Sequence, residues 1–386
     1  MKEYDWTGLA ESITASEKTS NTRKIGDLIQ VLSHYLIKEP AVEISATCKA
    51  PPRLPPEPDC TKYPTGLTGE RRKKPVRAVH MVQLGFDVDV LEVHLRELYD
   101  VVDFFFIIES TRTHFHTIKK PLIWESVQSQ ERFKVFSDKV VHLIMDDVIS
   151  APQKSDENDI WFEEALQERV RAQEFMAWNS KQEKPLTADD WVGFGDTDQV
   201  ANRLNIHLLR HCVPIADSVD IGIWFPSGRI DNAFRTDFPV SGHPYSLGDP
   251  TFMTLARVER LMSSGTTATR VRGTSGQFLL SGMHMTRHQY VPFMMLEPIT
   301  CTECGWKDPA FVKEVQQVMT SGSMARIEEY WIRFHLDRLV HRTIPLKDLP
   351  ESERALVYVP WFLACQPDRY PYWTGRHDFR LDTNSN

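Results

Sequence analysis

The sequence predicts an α/β fold in which a doubly wound, parallel sheet carries helices on both faces. Short apolar segments recur between residues 76 and 198, and segments with apolar residues at helical spacing separate them. Strands that are joined by helices or long crossovers pair in parallel within one sheet. Three of the apolar segments end in acidic or polar groups, and ligands of such sheets bind beyond the carboxyl ends of the strands. The polar residues at those ends are therefore the first candidates for chemistry.

Each element of this sheet has its own signal. Strands are predicted at Val76–Leu84, Asp103–Ser110, Lys139–Asp147 and Asp190–Asp198. Asp103–Ser110 is almost wholly apolar between charged ends, which is typical of a strand covered on both faces. Helical spacing predicts helices at Asp87–Val102 and Asp159–Asn179 and, after a less regular part, at Thr251–Gly265, before a strand and turn at Gln277–His288.

The chain divides into three segments. Residues 1–50 form an N-terminal extension with one amphipathic helix, Ile25–Ile37. Residues 51–75 are rich in proline and basic side chains, which predicts an extended, solvated linker. A compact domain is expected over residues 76–386.

Composition excludes several classes of protein. The formal net charge is -8, so no global field attracts nucleic acid or an anionic membrane. We find no apolar run of about 18 residues, the length that a transmembrane helix needs, and residues 1–20 lack the pattern of a secretory signal. Six cysteines in a chain of this length predict no disulfide framework, and Cys301 and Cys304 are expected to be ordinary thiols or one local disulfide.

The strongest chemical signal is the pair Asp196 and Asp198 at the end of the fourth predicted strand. Two carboxylates that are spaced i, i+2 can converge on one divalent cation, and Mg²⁺ and Mn²⁺ prefer such oxygen ligands. A transferase that uses a nucleotide-sugar donor needs this arrangement, because its leaving group is a diphosphate whose charge the metal neutralises. An acidic turn without a metal is the alternative interpretation.

Residues 86–147 combine an acidic and apolar helix, a strand that ends in Glu-Ser-Thr, and a Pro-Leu pair. With these features the segment resembles the opening of glycosyltransferase family 17, which includes β-1,4-mannosyl-glycoprotein N-acetylglucosaminyltransferases. The resemblance extends over roughly residues 77–373. Its further parts are a helix with spaced Trp, Glu, Gln and Arg residues, the Asp-Thr-Asp strand end, Gly282–Met285 and the closing segment Val359–Trp373. The matching positions are Phe86, Asp87, Leu91, Glu92, Leu95, Glu97, Leu98, Glu109, Ser110, Thr113, His114, Pro121, Leu122, Trp161, Glu164, Gln167, Arg169, Asp196 and Asp198.

This resemblance implies a GT-A-type fold with a mixed sheet flanked by helices. It implies an inverting reaction that depends on Mn²⁺ or Mg²⁺ and moves N-acetylglucosamine from UDP-GlcNAc to a mannose-containing N-glycan in β-1,4 linkage. The partners would be a nucleotide-sugar donor and a glycan or glycoprotein acceptor. Relatives are anchored in the Golgi, whereas this sequence shows neither an anchor nor a signal, so a cytoplasmic location is the alternative expectation.

Carried over by position, Asp196 and Asp198 would hold the metal and His284 would be the third protein ligand. The resemblance places Glu109, Thr113 and His114 beside the donor nucleotide, with Asp87 as a further candidate for the same pocket. Arg169 is a candidate for binding the diphosphate, because guanidinium groups pair with phosphate oxygens. An inverting transferase also needs a base for the acceptor hydroxyl. The candidates are Asp231, Asp237, Asp249 and Glu297, of which Glu297 and Asp249 are selected as catalytic.

Several positions depart from the family pattern. Gln199 replaces the glutamate that follows the two aspartates, Val200–Ala201 replace an Ile-Pro pair, and Met283 stands where a tryptophan is expected. Gly193 and Gly195 are expected to weaken the packing of the strand. Two alternatives therefore remain: a metal-dependent hydrolase that uses His114, His116 and His284, and a catalytically inactive relative that binds glycan or nucleotide.

Overall fold

The computed structural model describes residues 21–374 except 64–65, 114–118, 146–161, 228, 238, 241, 265–276 and 287–341, where only Phe293, Leu296 and Thr300 are included. The helices are α1 Asn21–Leu36, α2 Val88–Leu98, α3 Ile123–Val127, α4 Glu131–Lys134, α5 Phe162–Asn179, α6 Arg203–His211, α7 Leu255–Ser263, α8 Glu351–Arg354, α9 Trp361–Cys365 and α10 Pro371–Thr374. Within these ranges no helix combines the length and the apolar character that a bilayer span requires.

The strands of the described part are numbered in chain order. They are β1 Leu67–Arg71, β2 Ala78–Gln83, β3 Phe104–Ser110, β4 Val140–Met145, β5 Trp191–Asp196, β6 Gln199–Ala201, β7 Cys212–Pro214, β8 Ser218–Trp224, β9 Pro226–Ser227, β10 Arg229–Phe234, β11 Pro239–Val240, β12 His243–Thr254, β13 Phe278–His284 and β14 Thr343–Pro345. The four strands that the sequence predicts between residues 76 and 198 are present as β2, β3, β4 and β5. Short 3₁₀ turns lie at Ala46–Cys48, Cys60–Lys62 and Leu346–Asp348.

The main sheet is mixed, and its strand order is β4-β3-β2-β5-β12-β8-β13-β6, with β11 beside β12. The pairs β2–β3, β2–β5 and β3–β4 are parallel, as the alternation of strands and helices predicts. Beyond β5 the sheet is no longer purely parallel, because β12 runs antiparallel to both β5 and β8. The α/β class and the mixed, GT-A-like sheet that the family resemblance implies are both confirmed.

One edge of this sheet collects the carboxyl ends of six strands, β2, β3, β4, β5, β8 and β13. Because β8 is antiparallel to β12, it runs in the same direction as β5, and β13 is parallel to β8. The residues that end these strands are Gln83, Ser110, Met145, Asp196, Trp224 and His284. The chain places β3 and β4 on one side of β2 and then returns to place β5 on the other side, so the strand order reverses between β2 and β5. A reversal of this kind opens the crevice in which doubly wound sheets bind their ligands.

The two faces of the sheet are covered by different helices, as the apolar strands require. On β3, Phe105 and Ile107 belong to the same buried cluster as Leu91 of α2. The alternate residues Phe106 and Ile108 belong to a second cluster with residues of α5 and α7. Side chains of a strand alternate between its faces, so a strand that is apolar at every position must be covered twice.

The prediction about the cysteines is wrong. Cys48 forms a disulfide with Cys365, and Cys60 forms one with Cys212. Both bonds join the segment before residue 76 to distant parts of the domain, and β1 pairs with β7 next to the second bond. Such pairings join residues that are far apart in the chain, so cysteine number and spacing do not reveal them. Cys301 and Cys304, which are predicted to be ordinary thiols or one local disulfide, lie outside the described residues.

Candidate functional site

The turn Asp196–Asp198 lies at the reversal point of the sheet, where β5 ends next to β2. The side chain of Thr197 points inward and is 4% exposed, whereas the two aspartates on either side of it are only partly buried. The two aspartates are therefore more exposed than the threonine between them. Their convergence on one cation, which the i, i+2 spacing predicts, stays a prediction.

Thr197 is held by hydrogen bonds from two other elements. Its backbone N–H and its Oγ1 both donate to the carbonyl oxygen of Gln83 at the end of β2, over 3.2 Å and 2.7 Å. Its own carbonyl oxygen lies 2.8 Å from Nδ1 of His94 on α2. On the far side of the turn, the amide of Met285 donates to the carbonyl oxygen of Asp198 over 2.6 Å. The turn is therefore fixed by β2, by α2 and by the residue that follows β13.

His94 belongs to a buried pair of histidines behind the turn. Its Nε2 lies 3.2 Å from Nδ1 of His80 on β2, and neither side chain is exposed. Since a carbonyl oxygen only accepts, Nδ1 of His94 carries the hydrogen that bonds Thr197, and Nε2 accepts from His80. Burial lowers the pKa of His94 to about 4, and burial lowers the pKa of His80 well below its ordinary value. Both rings are therefore neutral near pH 7.

The glycines of β5 allow this pair to lie against the strand. A Cβ at Gly193 would come within 2.5 Å of the ring of Phe252 and 2.8 Å of His80. A Cβ at Gly195 would come within 2.8 Å of Pro250 on β12. Gly193 and Gly195 thus admit close packing by side chains of the neighbouring strands β2 and β12, which the expectation of weakened packing did not include.

Gln199 bonds Asp196 at two points. The amide N–H of Asp196 donates to Oε1 of Gln199 over 3.0 Å, and Nε2 of Gln199 donates to Oδ2 of Asp196 over 3.1 Å. A glutamate at this position could still accept the N–H of Asp196, but it would have no N–H to donate to the carboxylate of Asp196. The departure at residue 199 therefore supplies a side chain that orients Asp196. Val200 and Ala201, the other departures next to it, are fully buried in the core.

His284 lies next to Asp198. Nδ1 of His284 is 3.8 Å from Oδ2 of Asp198, and the two side chains are 12% and 22% exposed. The backbone before His284 is irregular: Ser281 has a φ of 121°, and the pairing of β13 with β8 shifts between Leu280 and Met283. Bulges of this kind re-aim side chains at the edges of sheets. The ring of His284 also packs against Phe225 at the end of β8, with 4.5 Å between the ring centres.

The predicted metal ligands are thus brought together in part. Asp198 and His284 form a pair, whereas one oxygen of Asp196 takes its hydrogen bond from Gln199. In the ranges that the structure describes, no group of three or more His, Cys, Asp and Glu side chains has the arrangement of a metal site. Carboxylate oxygen and imidazole nitrogen are donors that suit Mn²⁺. The metal site at Asp196, Asp198 and His284 stays a prediction.

Glu109, predicted to border the donor nucleotide, is fully buried at the end of β3. Its two oxygens accept the backbone N–H groups of Ile123 and Trp124 over 2.7 Å and 2.9 Å, at the start of α3. His142 and Lys120 also lie beside the carboxylate, at 3.0 Å and 3.5 Å. These contacts give Glu109 a structural task, since it anchors the segment after β3 to the sheet. A role in donor binding stays a prediction.

An arginine that the sequence did not suggest lies closer to the turn than the predicted one. Arg169 is exposed on α5. Two residues further on, Arg171 is fully buried, and its guanidinium donates to the carbonyl oxygen of Gly195 over 3.4 Å and packs on the ring of Phe194. Arg169 and Arg171 point in different directions from the same helix. The spacing alone favours neither, because the rotation of α5 against the sheet decides which one is covered.

The remaining donor-side candidates lie near the same edge. Asp87 is the residue before α2 and is 6% exposed. Thr113, three residues after β3, is 4% exposed. His114 and His116 lie outside the described residues. These placements follow from the strand ends, as expected for polar residues after parallel strands.

The candidate bases occupy different environments. Asp249 is fully buried on β12, two residues before Thr251, which pairs with Phe194 of β5. Asp231 and Asp237 are exposed and form ion pairs with arginines, Asp231 with Arg229 and Asp237 with Arg342. Glu297 lies outside the described residues. Asp249 is the candidate whose strand adjoins β5 at the end that carries Asp196.

Two glutamates that contribute to the family resemblance anchor the C-terminal segment. Glu92 on α2 accepts from Arg369 over 2.9 Å and from the hydroxyl of Tyr370 over 2.8 Å. Glu97 accepts the backbone N–H of Trp361 over 2.8 Å and the hydroxyl of Tyr358 over 2.5 Å. Burial raises the pKa of Glu97 to about 7 despite these bonds. Both residues therefore hold the structure together rather than form part of the candidate site.

Comparison with protein families supports the resemblance found in the sequence. The model described as Glycosyltransferase family 17 matches residues 65–223. The matched region runs from the start of β1 to the end of β8, and it contains the turn Asp196–Asp198 but neither Asp249 nor His284. No curated protein matches the chain significantly.

Proposed function

We propose that this glycosyltransferase, whose residues 65–223 match family 17, transfers N-acetylglucosamine from UDP-GlcNAc to a mannose-containing N-glycan. The observation that carries the proposal is the position of Asp196 and Asp198, which flank an inward-facing Thr197 at the reversal point of the sheet. Nucleotides bind at this point in doubly wound sheets. The donor sugar and the β-1,4 linkage come from the family resemblance.

The proposed reaction depends on a divalent cation. Asp198 and His284, whose Oδ2 and Nδ1 atoms are 3.8 Å apart, would hold the metal together with Asp196. When bound, Mn²⁺ or Mg²⁺ supplies positive charge to the diphosphate leaving group, so that the leaving group needs no proton. Gln199 contributes by orienting the carboxylate of Asp196 through the bond from its Nε2.

Asp249 is the proposed base. An inverting transfer needs a group that takes the proton of the acceptor hydroxyl as that oxygen attacks the anomeric carbon. Asp249 lies on the strand that adjoins β5, and its carboxylate is shielded from bulk water. Glu297 is the second candidate for this role. Replacement of Asp249 by Asn, with Asp231→Asn as a matched control on an exposed carboxylate, tests the assignment by its effect on kcat.

The proposed location is an oxidising compartment such as the lumen of the secretory pathway. The bonds Cys48–Cys365 and Cys60–Cys212 support this, because disulfides form and persist in such compartments. The Golgi location that the family resemblance implies is consistent with both bonds.

The test is a product analysis. UDP-GlcNAc, Mn²⁺ and a panel of N-glycans with terminal or branching mannose are incubated with the protein, and UDP and the extended glycan are measured together. Equal amounts of UDP and extended glycan are the expected result. Free N-acetylglucosamine in place of extended glycan would support a hydrolase, and the absence of either product would support an inactive relative.

A further inference from the structure

We infer that His94, supported by His80, is a positioning residue that fixes the backbone of the Asp196–Asp198 turn for nucleotide and metal binding. This inference rests on the proposed function, since it names residues that prepare the same site. Neither histidine lies at the edge of the sheet or approaches the carboxylates themselves. Both act through the backbone of Thr197.

The geometry defines what the bond from His94 controls. The carbonyl oxygen of Thr197 belongs to the peptide unit that joins Thr197 to Asp198, and it lies 2.8 Å from Nδ1 of His94. The preceding peptide unit, between Asp196 and Thr197, is held because the N–H of Thr197 donates to Gln83. These two planes fix the backbone of Thr197 and the positions of the Cα atoms of both aspartates. The Cβ direction of Asp198 also depends on the next peptide unit, whose carbonyl oxygen accepts from Met285, and that of Asp196 depends on its own N–H, which donates to Gln199. His94 is thus the side chain that holds the peptide unit between Thr197 and Asp198.

The burial of the two rings supports a specific task. Burying a polar ring is costly unless it is hydrogen-bonded, and apolar side chains would fill this space without that cost. Of the two ring nitrogens of His80, Nδ1 bonds His94, while Nε2 has no hydrogen-bond partner within the described ranges. The bond that His80 makes to His94 is therefore the feature that offsets its burial. That bond keeps the ring of His94 turned so that Nδ1–H faces Thr197.

The glycines of β5 make room for the pair at the cost of local strand propensity. His80 Cδ2 would lie 2.8 Å from a Cβ at Gly193, and His80 Nε2 would lie 3.2 Å from one at Gly195. Glycine in a strand interior weakens the strand and marks a close approach. The sequence thus combines two glycines and two histidines around one backbone carbonyl, an arrangement that core packing alone does not require.

The test compares His94→Leu with His94→Asn. Leucine fills a similar volume and has no donor, whereas the side-chain amide of asparagine places an N–H near the position of Nδ1. His34→Leu is the matched control, because His34 is exposed on α1. The first readout is amide hydrogen exchange of residues 196–198 in the metal-free protein, and the second is the Kd for UDP in the presence of Mn²⁺.

We expect His94→Leu to speed exchange of the turn amides about tenfold and to raise the Kd about tenfold, the effect of losing one buried hydrogen bond. His94→Asn should remain within about threefold of the unaltered protein in both readouts. His80→Phe keeps a ring and loses the donor, and it should change both readouts in the same direction by a smaller factor. This variant also decides the question if the leucine variant fails to fold.

Two results would overturn the inference. One is unchanged exchange of residues 196–198 in His94→Leu and His80→Phe; the other is faster exchange spread equally over β2 and β5, which indicates a general structural role. Failure of the proposed function has a different signature, because the unaltered protein would then bind no UDP with Mn²⁺ while the exchange readout still tests the role of His94.

Discussion

The disulfide between Cys60 and Cys212 offers a prediction whose size follows from the structure. The bond joins the 3₁₀ turn Cys60–Lys62 to the start of β7, and both cysteines are at most 5% exposed. The perturbation is the double replacement of Cys60 and Cys212 by alanine. It removes the bond without leaving a lone thiol, and it leaves the bond between Cys48 and Cys365 in place.

The chain-entropy model gives the expected magnitude. The bond closes a loop with a sequence separation of 152 residues. A loop of that length corresponds to about 17 cal/mol/K of lost entropy in the unfolded chain, or about 5 kcal/mol at 25 °C. Measured effects of disulfides more often lie at about 2–4 kcal/mol, because unfolded chains retain structure. We therefore expect the free energy of unfolding to fall by about 2–5 kcal/mol.

Two assays check this expectation. Peptide mapping under non-reducing conditions should recover the fragments that contain Cys60 and Cys212 as a linked pair. Denaturation with urea should show a lower midpoint for the double variant, and a reductant should lower the midpoint of the unaltered protein further than that of the variant. Free thiols at both positions in natively purified protein, or equal midpoints with and without reductant, would refute the reasoning.

Three further perturbations test the packing and charge arguments. Gly193→Ala should destabilise the fold by about 1–3 kcal/mol because its Cβ meets two rings, whereas Gly85→Ala, where nothing lies within 4 Å, should have little effect in the same denaturation assay. The pKa of Glu97 is raised from 4.5 to about 7, so the folded state binds more protons than the unfolded state in that interval. The free energy of unfolding should therefore fall by about 3 kcal/mol from pH 4.5 to 7 relative to Glu97→Gln, and parallel pH profiles of the two proteins would contradict this. Glu92→Gln should cost about 3–5 kcal/mol because it leaves the buried Arg369 without its carboxylate, and a loss below about 1 kcal/mol would show that the ion pair is unimportant.

The sequence predicts the parallel part of the fold well because that part repeats a simple pattern. The strand Phe104–Ser110 begins with five consecutive apolar residues, and the helix Val88–Leu98 has a clear apolar face. The antiparallel part lacks such a signal, since β12 mixes glycine, proline and polar residues and takes its partners from distant segments. Contacts of that kind depend on the whole chain rather than on local periodicity.

The sequence shows where the two aspartates of the candidate site stand in the chain, but it does not show the contacts that support them. The strand end at Asp196 and the spacing to Asp198 can be read directly from the sequence. The link from His94 to Thr197 spans 103 residues, and the disulfide between Cys48 and Cys365 spans 317. Only the fold brings such residues together. The same limit explains why Arg169 was selected and Arg171 was not, since the rotation of α5 is set by its packing.

The measurement that tests the central claim most directly is a calorimetric titration of UDP in the presence and absence of Mn²⁺. The account predicts binding that requires Mn²⁺ in the unaltered protein, that is lost in Asp198→Ala and that is retained in Asp231→Ala, the exposed control. Binding of UDP that is equal with and without Mn²⁺, or that survives Asp198→Ala unchanged, would contradict the claim that the turn at the end of β5 holds the metal and the nucleotide.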